Sequence, residues 1–270
     1  IYITVNRVPA MALRYGKVTV ITACGIPAGG CPLSWFQANH PNWILLKHDR
    51  ATPAYEWDQT DWIPLDVSNP EVQAWREAHE IAPMLSNGYQ GISVDNVGDQ
   101  NDWGAEGVCS VAVTSGDCAS NGGTWTQLYS GEVAGDQRYI NDRVTWLNHL
   151  ASYVHDRNAC LSENIAYDPT NTAATASFIG TADIWYDEPG FTGDSNPSAC
   201  APDGGGSGVT GQAWIDKVAF VNGLKGGAGV PNVQENSICP LGDPRTRTVL
   251  EYATASYLLT KNAHTYFLWF

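Results

Sequence analysis

The chain has 270 residues, 43% of them hydrophobic, enough apolar material for one sizeable core. Its 14 Lys and Arg against 28 Asp and Glu give a formal charge of -14, a field that repels phosphate backbones and anionic lipid, so nucleic acid is not expected as a partner. No run of eighteen apolar residues occurs, and no membrane insertion is expected.

In chain order, strands are predicted at "IYITVN" from Ile1, "KVTVITA" from Lys17 and "WILLKHD" from Trp43. A helix follows over 69–85, with Asn69 as its cap and Pro70 at its first position. The fourth strand is "GISVDN" from Gly91, and after it comes a Gly-, Ser-, Asn- and Asp-rich insertion over 97–135. A second helix spans 136–158, then come strands "ENIAYDP" from Glu163 and "ADIWYDE" from Ala182. Another polar insertion covers 192–211, before a helix over 210–224, a strand "VPNVQENSI" from Val230, a helix over 243–262 and a last strand "HTYFLWF" from His264.

Strands alternating with helices imply parallel crossovers, and eight strands in this length predict a closed (β/α)8 TIM barrel, one catalytic domain over 1–270. The rival is an open doubly wound sheet, which calls for a G-x-G-x-x-G turn after an early strand; none is present there. In a barrel the long βα loops gather on one face, where active sites are built.

Seven cysteines, at 24, 31, 109, 118, 160, 200 and 239, show no C-x-x-C and no Cys/His ligand spacing. Disulfides and a secreted protein are therefore expected, with any signal segment already removed. Cys24/Cys31 and Cys109/Cys118 are predicted to staple one loop each, Cys200/Cys239 to tie two loops, and Cys160 is left over.

Alternation in "GISVDN" puts Ile92 and Val94 on one face and Gly91, Ser93 and Asp95 on the other, so Asp95 points inward at the carboxyl mouth of a barrel. The same ending recurs. "WILLKHD" closes on Lys47, His48 and Asp49, "ENIAYDP" on Asp168, "ADIWYDE" on Asp187 and Glu188, and "VPNVQENS" on Glu235. Clustered carboxylates repel one another, which separates an acid from a base or nucleophile. Next to aromatic platforms such a pair is the equipment of glycoside hydrolysis. Trp103, Tyr167, Tyr186 and Trp269 are the platforms expected, in a chain with 11 Trp and only 2 Met. Rival chemistry has weaker support. There is no G-x-S-x-G elbow and no H-E-x-x-H, and "DNVGDQND" lacks the spacing and terminal Glu of an EF-hand. No metal and no redox or nucleotide cofactor is expected.

The stretch "DWIPLDVSNPEVQAWREAHEIAPMLSNGYQGISVDNV", Asp61 to Val97, resembles the central block of the endo-α-1,4-polygalactosaminidase family of glycoside hydrolases and related glycosidase barrels. In that family an "LD" plus "NP" segment leads a helix, which delivers a "G-x-D-G" turn and a strand ending in "DN". Leu65-Asp66, Asn69-Pro70, Gly88, Gly91 and Asp95-Asn96 match, whereas Gln90 stands where the turn has Asp. The resemblance implies a TIM-type barrel with a catalytic Asp closing strand four and a catalytic Glu closing strand six. Asp95 takes the first place. Glu188 takes the second, with Asp187 as its adjacent rival.

The function expected is a secreted glycoside hydrolase active in polysaccharide degradation. Asp95 and Glu188 are the carboxylate pair, and Lys47, His48, Asn96, Trp103, Tyr167, Asp168, Tyr186, Asp187, Glu235 and Trp269 bind sugar or tune the pair. A negative mouth suits neutral or cationic sugars better than uronic acids. The alternatives are a non-catalytic glycan-binding or cell-surface structural barrel and a polysaccharide lyase. The lyase would need a cation beside the substrate carboxylate, for which Lys47 and Arg50 are the candidates.

Overall fold

The computed structural model describes residues 2–3, 13–17, 31–55, 60, 63–101, 103–131, 136–188, 190–192, 209–224, 232–236, 242–262 and 265–269. The protein is a mixed α/β chain that packs as two compact units. One unit comprises Ile1–Ile92 and Asp99–Ala159, the other Ser93–Gly98 and Cys160–Phe270.

In the first unit, β1 (Tyr2–Ile3) pairs antiparallel with β2 (Leu13–Lys17). Helix α1 (Leu33–Asn39) follows, then a single 3-10 turn, Pro41–Trp43. The strand predicted from Trp43 is not formed. Trp43 closes the 3-10 turn, Ile44 and Leu46 make only isolated antiparallel bridges to Leu65, Pro53 and Gly107, and Asp49 folds the chain back. Its Oδ1 accepts from the backbone N–H of Ala51 (3.0 Å) and Thr52 (2.9 Å), and Arg50 adopts a φ of 58°. Local side-chain bonds of this kind compete with a strand ladder.

Helix α2 (Pro70–Arg76) begins where predicted, with Asn69 Oδ1 accepting from Glu71 N–H at 2.9 Å. It runs through a π-helical turn, Glu77–Ile81, into α3 (Ala82–Ser86). Trp35, Phe36, Trp43 and Trp75 pack ring to ring where α1 meets α2, with the Trp43 indole donating to Glu71. Strand β3 (Gly91–Val97) passes from this unit into the second.

The insertion after β3 is not plain loop. It holds a hairpin of β4 (Gly107–Cys109) and β5 (Trp125–Gln127), closed by a Cys109–Cys118 disulfide as expected. Cys24, Cys200 and Cys239 lie outside the described residues. Removing the disulfide with Cys109→Ala and Cys118→Ala is expected to lower unfolding free energy by about 2 to 3 kcal/mol, the effect of releasing a short loop in the unfolded chain. Urea unfolding of the two forms checks this. Helix α4 (Gln137–His155) ends the unit, capped by Asp136, whose Oδ1 accepts from Arg138 and Tyr139 N–H at 3.1 Å.

Arg76 and Glu80 form a buried pair at 3.1 Å across the start of the π-helical turn. Burial pushes the Glu80 carboxyl up to about 7, and Arg76 only partly offsets it. Because the folded value lies above the unfolded one, the native state binds the proton more tightly. Glu80 is therefore least destabilising in acid, and stability falls as pH rises toward 7. Glu80→Gln leaves Arg76 without its anion, a cost independent of pH, but the stability difference between variant and native chain is expected to shift in the variant's favour by roughly 2 to 3 kcal/mol between about pH 5 and pH 8. Denaturant midpoints at the two pH values measure it; a constant difference would show that Glu80 does not titrate in this range.

In the second unit β3, β6 (Cys160–Ile165), β7 (Ile184–Asp187), β8 (Asn232–Asn236) and β9 (Thr265–Trp269) lie in that spatial order, with β6 to β9 paired parallel. Helices α5 (Thr172–Ile179), α6 (Gly211–Leu224) and α7 (Thr246–Thr260) alternate with these strands. Spatial order follows chain order with no reversal, unlike the switch point of a doubly wound sheet. Helix α5 was not foreseen, because its small and β-branched sequence, TAATASFI, carries little helical amphipathicity; Asn171 starts it by accepting from Ala174 N–H.

Register assigns the two faces of this sheet. Glu163 pairs with Trp185, Asp187 with Gln234, and Gln234 with Phe267. That face meets the helices: Trp185 packs edge-on to Phe220 of α6, Gln234 donates to Thr260 of α7 at 2.9 Å, and Phe267 lies against Tyr257 of α7. The opposite face carries Ser93 and Asp95 from β3, Ser162 and Asn164 from β6, and Ile184 and Tyr186 from β7.

Candidate active site

The centre of the opposite face is one amide. Asn164 Nδ2, near the carboxyl end of β6, donates to Asp95 Oδ1 at 2.8 Å and also to Glu188 Oε2. The two accepting oxygens are therefore held within two hydrogen-bond lengths of each other. Asp95 is 5% exposed and Asn164 likewise, whereas Glu188 is half-buried, in the turn just past β7. Asp95 Oδ1 accepts a second bond, 2.9 Å, from the backbone N–H of Asn96, whose φ of 55° turns the chain out of β3. Left-handed backbone is tolerated by Asn better than by most side chains, which accounts for Asn following the acid. Tyr186 is the register partner of Asn164 and is half-buried on the same face.

Alternation sends Asp187 the other way. It is fully buried on the helix-facing side, where Lys217 Nζ of α6 lies 2.9 Å from its Oδ2. Lys217 also donates to the Gly190 carbonyl and sits over the Phe191 ring at 5.1 Å and the Tyr167 ring at 5.6 Å. Of the two adjacent acids that close this strand, Glu188 meets Asp95 and Asp187 is committed to an ion pair.

The remaining expected residues are distributed as follows. Tyr167 packs on Phe220 of α6, 5.0 Å between rings. Asp168 Oδ1 accepts from the Thr170 N–H and hydroxyl in the turn before α5. Glu235 and Trp269 lie in β8 and β9, with their side chains outside the described atoms. Lys47, His48 and Trp103 belong to the first unit. Lys47 is half-buried in the turn that replaces the predicted strand, and His48 is exposed with Nδ1 3.1 Å from Glu106. Trp103 covers a cluster that includes Leu45, Ala105 and Tyr129.

Asn164 is not among the site residues expected from sequence. The strand predicted from Glu163 closes on Asp168, whereas β6 stops at Ile165 and its last inward residue is an amide. The signal was present, since Ser162 and Asn164 are polar at alternate positions between apolar neighbours.

These features define a mixed α/β protein with a mostly parallel sheet and two carboxylates joined by one amide at the carboxyl ends of β3, β6 and β7. No family model matches the chain, and no curated protein matches it. Among the described residues, no group of three or more His, Cys, Asp or Glu is arranged to hold a metal ion, and no helix is long and apolar enough to cross a membrane.

Proposed function

We propose that this chain is a glycoside hydrolase that cleaves bonds within a polysaccharide, with Asp95 as nucleophile and Glu188 as general acid and base. One observation carries the reading: a single Asn164 amide binds both carboxylates at strand ends. Two hydrogen-bond lengths, about 5 to 6 Å, are the upper limit on the distance between the two bridged oxygens, which supports retention of configuration, whereas inversion needs carboxyl groups roughly 6.5 to 9.5 Å apart. Asp95 is the more deeply buried and is oriented by two N–H donors, as a nucleophile must be. Glu188 is more open and can exchange protons with water.

In the first step an Asp95 oxygen bonds to the anomeric carbon while the glycosidic C–O bond breaks and Glu188 gives its proton to the departing oxygen. In the second, Glu188 takes a proton from water, whose oxygen attacks the same carbon and releases Asp95. Two acids close together favour a neutral or cationic sugar at the cleavage point. The unreversed strand order fits closure into a (β/α)8 barrel. The Cys109–Cys118 disulfide fits an extracellular location.

A polysaccharide panel scored by reducing-sugar release, native chain beside Asp95→Asn, is the direct test. Cleavage of no member by the native chain, or equal cleavage by both, refutes the reading.

A further inference from the structure

We infer that Asn164 is a positioning residue that sets the spacing of Asp95 and Glu188. The inference rests on the hydrolase reading for its kinetic consequences only; its physical content concerns the two carboxylates themselves. A primary amide has two N–H bonds on one nitrogen, diverging in a plane, so it can serve two acceptors at a fixed angle. Asn164 uses Nδ2 for both acids. Each carboxylate therefore has its place defined by the other's partner, and neither can move away without losing a bond from the same nitrogen. The side chain that does this is itself buried between flanking strands, at the end of β6.

Like charges this close repel, and the N–H donors between them oppose that repulsion. Among the described side chains the titratable groups on this face are Asp95, Tyr186 and Glu188; by register, Glu235 of β8 and Tyr266 of β9 stand at positions of the same face. Glu163, Asp187 and Lys217 are on the helix-facing side, where Glu163 accepts from the Thr181 hydroxyl at 2.8 Å and Asp187 meets Lys217. With Asn164 replaced by a side chain that cannot donate, the pair loses both the intervening positive dipoles and the bonds that fix its spacing, and repulsion moves the carboxylates apart.

Crystal structures of the native chain and of Asn164→Leu, near in size and without donors, test this. The native structure is expected to show the Asn164 amide nitrogen within hydrogen-bond distance of both carboxylates, and the variant to show them farther apart by about 1 Å or more. On a cleaved polysaccharide the same variant is expected to lose about a hundredfold in kcat with KM little changed. A native structure in which one amide nitrogen does not reach both acids overturns the inference even if the variant does not fold, and so does a folded Asn164→Leu with the native carboxylate spacing. Native spacing through Asn164 in a protein that cleaves no polysaccharide would leave Asn164 as inferred and remove the hydrolase reading instead.

Discussion

Asp95→Asn and Glu188→Gln are each expected to reduce turnover on a cleaved polysaccharide by at least about a hundredfold, the lower range for loss of an acid, base or nucleophile. Both replacements keep the shape of the side chain, so thermal midpoints should move far less than activity. The double variant should lose little more than the worse single one, because both groups serve one transition state and removing either already abandons it. Retention makes a further demand: the first sugar released must carry the anomeric configuration of the substrate. An inverted first product would recast Asp95 as a base acting through water, and would conflict with the short bridge through Asn164. Full activity in Asp95→Asn would remove the mechanism altogether.

The largest effect on stability is expected at the neighbouring acid. Asp187→Asn leaves the Lys217 ammonium, 2% exposed, with the Gly190 carbonyl and two aromatic faces but no anion. Breaking one side of a buried pair exposes the full desolvation of the other charge, about 3 to 5 kcal/mol. Lys217→Met should be as damaging by the same argument. Asp187→Leu combined with Lys217→Met should recover most of the loss, since an apolar pair needs no compensation. Urea unfolding of the native chain, Asp187→Leu, Lys217→Met and the double variant gives the cycle. If Asp187→Asn instead keeps native stability and loses activity, Asp187 and not Glu188 is the acid that serves the reaction.

The sequence by itself determined the starts of α2 and α4, because Asn69 and Asp136 act on backbone N–H groups two or three residues away and Pro70 suits the first helical position. It also determined that Asp95 shares a face with Ser93, since alternation is a property of one strand. The Cys109–Cys118 staple was legible from short separation alone. It failed at "WILLKHD", where the apolar run suggested a strand and the Asp49 turn and cross-chain bridges decided otherwise. It also placed the end of β6 three residues too late and so missed Asn164. Only the tertiary structure decided between Asp187 and Glu188. Each is an acid at a strand end, and the choice was made by the distant Lys217 on α6 claiming one face and Asn164 on β6 claiming the other. Which side of a strand is inside depends on what packs there, and that is a contact between segments, not a property of either one.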